Sequence, residues 1–242
     1  MSQYPYQPQQ QQPAWINAST AETQLQERAF IRRVYAWMFG GLLLTAVAAL
    51  WVAMSASMQQ LVIQTPGVRL VLIVAELGVV MFLSFRIRQM SAVTAAGAFL
   101  VYSLLNGLTL SVILFVYTSG SIFQAFVTTA GMFGAMSIYG LVTKKDLTSW
   151  GSFFMMGLFG VIICSVVNIF LHSSAMTAVI SIVGIFVFLG LTAYDNQKLK
   201  ALATATGGMR ENMAIIGALT LYLDFINLFL FTLRLFGGGR RR

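Results

Sequence analysis

The feature that most constrains this chain is the absence of any charged side chain between residues 89 and 143. A second uncharged stretch, residues 147–194, is interrupted only by His172. The chain has 15 basic and 7 acidic residues among 242, whereas a soluble domain of this length carries about 60 charges. With a mean hydropathy of +0.80, this distribution excludes a soluble globular domain and a disordered chain. It predicts a polytopic membrane protein.

Segment lengths predict seven membrane spans. A single helix over the first uncharged stretch would be about 80 Å long, against a hydrocarbon core of about 30 Å, so each uncharged stretch must fold back. Polar residues 118–121 and 172–174 mark the two turns. The predicted spans are residues 34–56, 68–85, 92–117, 122–142, 150–171, 175–194 and 213–236. We expect an all-α bundle because the apolar runs are continuous for about 20 residues, whereas barrel strands alternate over about 10.

The segment 1–30 differs in composition from the rest of the chain. It is rich in Gln and contains three of the four prolines. Such a segment cannot bury enough apolar surface to offset its ordering entropy. We therefore predict a disordered cytoplasmic tail over residues 1–30 and a seven-helix transmembrane domain over residues 31–242. A cleavable signal peptide is not expected, because the first apolar run is too long.

Basic residues predict the orientation of the spans. With the N-terminus inside, ten basic residues of the short connecting segments lie inside and only Arg69 lies outside, which agrees with the positive-inside rule. The same clustering accounts for the net charge of +8, so the expected partner is the lipid bilayer and not nucleic acid. The three C-terminal arginines do not fit the positive-inside rule in this orientation. A full seventh span leaves them outside, whereas a re-entrant seventh segment keeps them inside.

Small residues in the fourth and sixth spans permit close approach of neighbouring helices. They are Gly131, Gly134 and Ala135 in the fourth span, and Gly184 and Gly190 in the sixth. We expect these residues to pack the bundle.

Three acidic residues fall at membrane depth: Glu76, Asp195 and Asp224. Ionisable groups there are costly unless they are paired or hydrated, which makes them candidates for function. Glu76 could line the bundle interior or pair with a polar neighbour. Asp195 could simply pair with Lys198, one helical turn further on. Asp224 has apolar neighbours on both sides, and Asn227 offers it a polar partner on the same helix face.

Asp195 and Asp224 lie on consecutive predicted spans and could form one site. Two carboxylates in a low-dielectric site share a proton, because both cannot ionise cheaply. Such a pair is a pH sensor, or a cation site when it is deprotonated. Residue counting places Asp195 near the inner surface and Asp224 about 10 Å deeper. Contact therefore requires a tilt or a later start of the seventh helix.

Two motifs around these acids resemble the bacterial Bax inhibitor-1 family, the transmembrane Bax-inhibitor-motif proteins. The motifs are GLTAYDNQKLK and GALTLYLDFINLFLFTLRLFG, and the resemblance covers everything after the Gln-rich tail. It implies a seven-helix bundle with the last helix central. It also implies a pH-sensitive calcium leak across the bacterial cytoplasmic (inner) membrane, with calcium as the permeant ion and no cofactor.

In that family an aspartate pair on the sixth and seventh helices acts with an arginine at the end of the second. The resemblance therefore implies that Asp195 and Asp224 are the pH sensor and a transient calcium site. The motif FRIRQMS offers both Arg86 and Arg88 as the latch. The spacing to the third helix favours Arg88.

Two alternatives to a leak channel come from other functional classes. Paired intramembrane aspartates also describe the presenilin-like aspartyl proteases, which carry Gly-x-Gly-Asp on the second acidic helix and a later Pro-Ala-Leu. Here Asp224 follows Leu-Tyr-Leu and no proline follows Pro66, so we do not expect an enzyme. The other alternative is a non-conducting regulator that binds other membrane proteins through its lipid-facing helices or its tail. The sequence leaves that alternative open.

Overall fold

A computed structural model describes residues 14–86, 89–206 and 211–237. Within them the chain forms nine α-helices and no β-strand. The helices are α1 (Ala14–Met54), α2 (Ala56–Val62), α3 (Pro66–Arg86), α4 (Ala92–Leu110), α5 (Ile113–Val116), α6 (Ser119–Val142), α7 (Thr148–Leu171), α8 (Ser174–Thr206) and α9 (Glu211–Phe236).

Seven segments are long and apolar enough to cross a membrane. They lie in α1, α3, α4 with α5, α6, α7, α8 and α9. The chain is therefore an all-helical integral membrane protein, and the predicted number of spans is confirmed. Both uncharged stretches fold back where their polar residues predict. Thr118 caps the start of α6, and His172 ends α7 in a left-handed conformation with φ of 50°.

The helix α1 begins well before the first span. It starts at Ala14, inside the segment whose composition predicted disorder over residues 1–30. No proline follows Pro13 in this segment, and its Ala, Glu, Gln, Leu and Arg residues favour helix, so one helix runs from the polar segment into the membrane. Phe30 is already buried. Residues 1–13 lie outside the described residues, and disorder there stays a prediction.

The helix α9 is the centre of the bundle. It packs against α1, α4, α6 and α8. Of its most apolar window 72% is buried, compared with 6% for α3 and for α7. A helix that is apolar on all sides needs neighbours on all sides. The predicted central position of the last helix is confirmed.

The helix α8 is longer than its apolar run. The sixth span was predicted to end at residue 194, because polar residues follow it, but α8 continues to Thr206. Leu199 and Ala203 are both buried and lie one turn apart, so the packed face of the helix continues past the polar residues. Leu199 lies against Gly217 of α9. Tertiary packing therefore extends α8 beyond the end of its hydrophobic signal.

The glycines that were expected to pack the bundle differ in their surroundings. A Cβ atom at Gly184 would lie 2.7 Å from the ring of Phe231, and the ring of a neighbouring helix also occupies the space beside Gly190. A Cβ atom at Gly131 or Gly134 would meet nothing within 4 Å. The packing role is confirmed for the α8 glycines. The two α6 glycines face open space and do not set a helix contact.

Candidate functional site

Asp195 and Asp224 lie at matching depths on α8 and α9, which pack against each other. Asp195 lies well before the end of α8 at Thr206, and Asp224 lies near the middle of α9. At a rise of about 1.5 Å per residue, Asp195 is about 17 Å from the end of α8 and Asp224 is about 20 Å from the start of α9. The expected depth difference arose from ending the sixth helix at residue 194. With the longer α8, the two acids lie at similar distances from the helix ends that the α8–α9 connection joins.

Both carboxyl groups line a cavity of about 770 Å³ between α7, α8 and α9. The two carboxyl groups lie close enough to interact electrostatically. The side chain of Asp224 is only 4% exposed, and its Oδ2 atom has no hydrogen-bond partner among the described residues. Two adjacent carboxyl groups can share one proton, and without that proton they present their oxygens to a cation.

Other polar side chains of the cavity offer mainly acceptor oxygens. The hydroxyls of Thr220 and Ser165 donate to the carbonyls of Ile216 and Val161, one turn earlier. Asn227 likewise donates its Nδ2 hydrogen to a carbonyl of its own helix. Each group keeps oxygen lone pairs for the cavity, and oxygen is the ligand that Ca²⁺ prefers. The described residues contain no group of three His, Cys, Asp or Glu side chains that could hold a metal tightly.

Two cationic side chains lie at the edges of the same cavity: Lys198 and Arg234. Lys198 is in electrostatic range of Asp195, but it forms no ion pair with a described residue, and its Nζ atom lies 5.8 Å from the centre of the Tyr194 ring. Arg234 lies over the ring of Phe231, at 5.6 Å. The simple Asp195–Lys198 ion pair that the spacing allowed is therefore not formed.

The structure does not bring Arg86 to the acidic pair. This residue ends α3 with an exposed side chain, and it forms no ion pair with a described residue. The helix α3 packs against α4 and α2, at the periphery of the bundle. Arg88, which the sequence favoured as the latch, lies outside the described residues. The latch stays a prediction.

Glu76 belongs to a separate polar network. It accepts hydrogen bonds from Thr109 Oγ1 and from Asn106 Nδ2 of α4. The Tyr222 hydroxyl donates to Asn106 Oδ1 at 3.2 Å and lies 2.7 Å from the hydroxyl of Thr45. This network joins α1, α3, α4 and α9. Glu76 therefore pairs with polar neighbours, as one of its two predicted roles required, and it does not line the cavity of the acidic pair.

A third polar cluster, centred on Asn196, was not predicted from the sequence. The Tyr35 hydroxyl donates to Asn196 Oδ1 at 2.6 Å, and Asn196 Nδ2 donates to Ser137 Oγ at 3.2 Å. Asn196 is fully buried, and its bonds join α1, α6 and α8. They fix the rotation of α8 immediately beside Asp195. The sequence did contain a signal for this cluster. Asn196 is a polar residue one turn after Thr192, in a stretch that continues the helix.

Comparisons with known proteins agree with this architecture. Residues 27–241 match the sequence model of a family described as "Inhibitor of apoptosis-promoting Bax1". The inner membrane protein YbhL of Escherichia coli (strain K12) is 47% identical over 218 residues, which cover 88% of this chain and 93% of that protein. An uncharacterized protein of Deinococcus radiodurans is 44% identical over 212 residues, covering 87% and 90%. The uncharacterized protein RP147 of Rickettsia prowazekii is 42% identical over 215 residues, covering 88% and 91%.

Proposed function

Since the chain belongs to the Bax inhibitor-1 family, we propose that it is a pH-sensitive calcium leak channel of the bacterial inner membrane, with its N-terminus in the cytoplasm. The observation that carries this proposal is the pair of carboxyl groups of Asp195 and Asp224 in one cavity, with an unpartnered oxygen on the buried member. Acids at membrane depth that face a cavity are typical of ion pathways and proton relays.

In the proposed mechanism, the pair switches between two charge states. Its ionised form attracts an arginine cation, for which we propose Arg88, and this contact holds the bundle closed. Protonation weakens the attraction and favours the open state, because a bistable bundle follows the charge at its switch. Leak should therefore increase as the pH falls through the titration range of the pair.

The cavity supports a weak and transient calcium site rather than a tight one. Among the described residues of its lining, two carboxylates carry negative charge and Lys198 and Arg234 carry positive charge, while the hydroxyl and amide groups add neutral oxygens. Tight calcium sites use more charged ligands in a rigid geometry. Weak binding is what conduction requires, since an ion must also leave.

The test is calcium flux into liposomes that contain the purified full-length protein, measured across a pH series. Asp224→Asn and Asp195→Asn remove one ionisable group each and keep the size of the side chain. Each variant should abolish the pH dependence of the leak, and the double variant should add little, because residues of one unit are non-additive. Glu22→Gln is the matched control, since Glu22 is an exposed acid near the start of α1.

The outcomes of this assay separate the alternatives. A folded wild-type protein that passes no calcium at any pH contradicts the leak and favours the non-conducting regulator. Independent, additive effects of the two aspartate variants show that the acids do not form one sensor. An Asp224→Asn variant whose pH profile matches that of the wild type would also show that the two acids do not form one sensor.

A further inference from the structure

The connection between α6 and α7 carries a cluster of cations at one end of the bundle. Lys144, Lys145 and Lys198 line a cavity of about 370 Å³, together with Asp146 and Thr148. None of the three lysines forms an ion pair with a described residue. The carboxylate of Asp146 already accepts two hydrogen bonds from Thr148. This cavity, the lysine cavity, therefore has an excess of positive charge.

The backbone of this connection is held in place by α8. Gln197 Oε1 accepts a hydrogen bond from the Leu147 backbone at 2.8 Å, and Gln197 Nε2 donates to the Lys145 carbonyl at 2.7 Å. The helix α7 begins at Thr148, and Leu147 before it provides no side-chain cap. The backbone N–H of Thr148 instead donates to the Asp146 carboxylate at 2.9 Å, so this acid caps the start of the helix. The cations are presented from a defined position and not from a free loop.

An apolar cleft adjoins the lysine cavity and shares Lys145 with it. The cleft has a volume of about 480 Å³ and lies between α6, α7 and α8. Its lining includes Met136, Phe154, Phe186 and Leu189. Trp150, also in the lining, is 58% exposed and stacks on Phe154 with ring centres 6.0 Å apart. An exposed Trp at a helix end is typical of the level of the lipid headgroups.

We propose that the lysine cavity and the apolar cleft together bind one anionic phospholipid. The headgroup phosphate would contact the ammonium groups of Lys144, Lys145 and Lys198, and an acyl chain would occupy the cleft. Charge complementarity supports this occupant, because an anionic headgroup has the sign that the three lysines require. The shared residue Lys145 places polar and apolar subsites side by side, as they are in a phospholipid. This site goes beyond the proposed leak and does not depend on it.

The test compares two lipids of equal chain length, one with an anionic headgroup and one with a zwitterionic headgroup. The purified full-length protein in detergent is titrated with phosphatidylglycerol, with phosphatidylcholine and with inorganic phosphate. Native mass spectrometry counts the retained lipid, and thermal unfolding reports stabilisation. We expect one retained phosphatidylglycerol per chain, weaker retention of phosphatidylcholine, and no effect of phosphate alone.

The decisive variant is Lys144→Gln with Lys145→Gln, which should weaken phosphatidylglycerol binding about tenfold. Lys198 is left in place, because it also lies beside Asp195. The matched control is Arg32→Gln with Arg33→Gln, which removes the same charge from exposed residues of α1 on the same predicted side of the membrane. Lys144→Arg with Lys145→Arg should retain the lipid, and Met136→Trp, which narrows the cleft, should weaken its retention.

Several results would overturn the proposal. Equal retention of the two lipids contradicts an anionic site. An equal loss in the α1 control indicates general attraction to surface charge. Stabilisation by inorganic phosphate alone indicates a site for a soluble anion, and full retention by Met136→Trp shows that no acyl chain enters the cleft.

Discussion

Asp224 combines near-complete burial with a carboxyl oxygen that no described residue contacts by hydrogen bond. Buried polar atoms in folded proteins are nearly always bonded, so an exception calls for a specific explanation. A proton shared with Asp195, an ion or an ordered water would each satisfy this oxygen. The shared proton and the ion are the two species that the proposed proton sensing and cation passage require at this oxygen, and an ordered water can hydrate either.

Asp146 permits a direct test of hydrogen bonding at the residue scale, outside the spans. The side-chain hydroxyl of Thr148 donates to its carboxylate at 2.6 Å and the Thr148 backbone at 2.9 Å, and these bonds lower the pKa of Asp146 from its ordinary value of 3.8. Thr148→Val removes the hydroxyl and should raise this pKa, as measured by NMR titration of the carboxyl carbon.

The sign of the linkage follows from this lowered pKa. The contribution to stability is present at neutral pH and is lost as the pH falls through the folded-state pKa of Asp146. Ser149→Ala is the control, because Ser149 is also an exposed hydroxyl residue and does not bond to Asp146. An unchanged pKa in Thr148→Val would contradict the assigned cause.

Tyr222 permits a test of the network that joins four helices. Tyr222→Phe removes the hydroxyl that contacts Asn106 and Thr45, and it leaves buried polar atoms with fewer partners. We expect the free energy of unfolding to fall by about 1 kcal/mol, measured by thermal unfolding in detergent. Tyr139→Phe, at a residue 43% exposed, should have little effect. Equal stability of wild type and Tyr222→Phe would show that the network does not stabilise the bundle.

At the scale of the helices, α8 is the element that assembles the candidate site. It contacts α1, α6, α7 and α9, and it carries Asp195 toward the cavity while Asn196 bonds to α1 and α6. Successive residues on a helix point about 100° apart, so two adjacent polar side chains serve different neighbours. The rotation of α8 therefore determines whether Asp195 faces Asp224.

Close packing of α8 depends on glycine at particular positions. Gly190→Leu would place a side chain in the ring of Phe154, and we expect a loss of about 1–3 kcal/mol from overpacking. Gly131→Leu is the matched control on α6, where the space is open. Thermal unfolding of the two variants compares them directly. Similar stability for both would mean that α7 and α8 are not in the close contact that the structure shows.

At the scale of the whole molecule, orientation can be tested with reporter fusions. A reporter after Ser119 or His172 should lie outside, and one after Lys145 or Lys200 inside, because basic residues concentrate at one side. The helix α9 is continuous over 26 residues, about 39 Å in length, so a full crossing is expected and a C-terminal reporter should lie outside. An inside signal after Ser119 would reverse the arrangement, and an inside C-terminus would require a re-entrant seventh segment.

The sequence by itself determined the class of fold and the number of spans. The thickness of the hydrocarbon core sets the apolar part of each crossing at about 20 residues, and charges are excluded from that part, so apolar lengths and charges define the spans. The positions of the turns followed in the same way from short polar segments. The acids at membrane depth were also found from sequence, because their cost in lipid does not depend on which helices surround them.

Only the tertiary structure decided which polar groups meet. By residue counting Asp195 lay at a helix end, but the packing of Leu199 and Ala203 extends α8 past it. Glu76 and Asp224 are both acids within apolar spans, yet Glu76 accepts a hydrogen bond from α4 and Asp224 lines the cavity between α7, α8 and α9. Hydropathy reports only whether a residue tolerates lipid. Contacts between helices depend on rotation and on the fit of side chains from distant parts of the chain, and these arise only when all seven spans pack together.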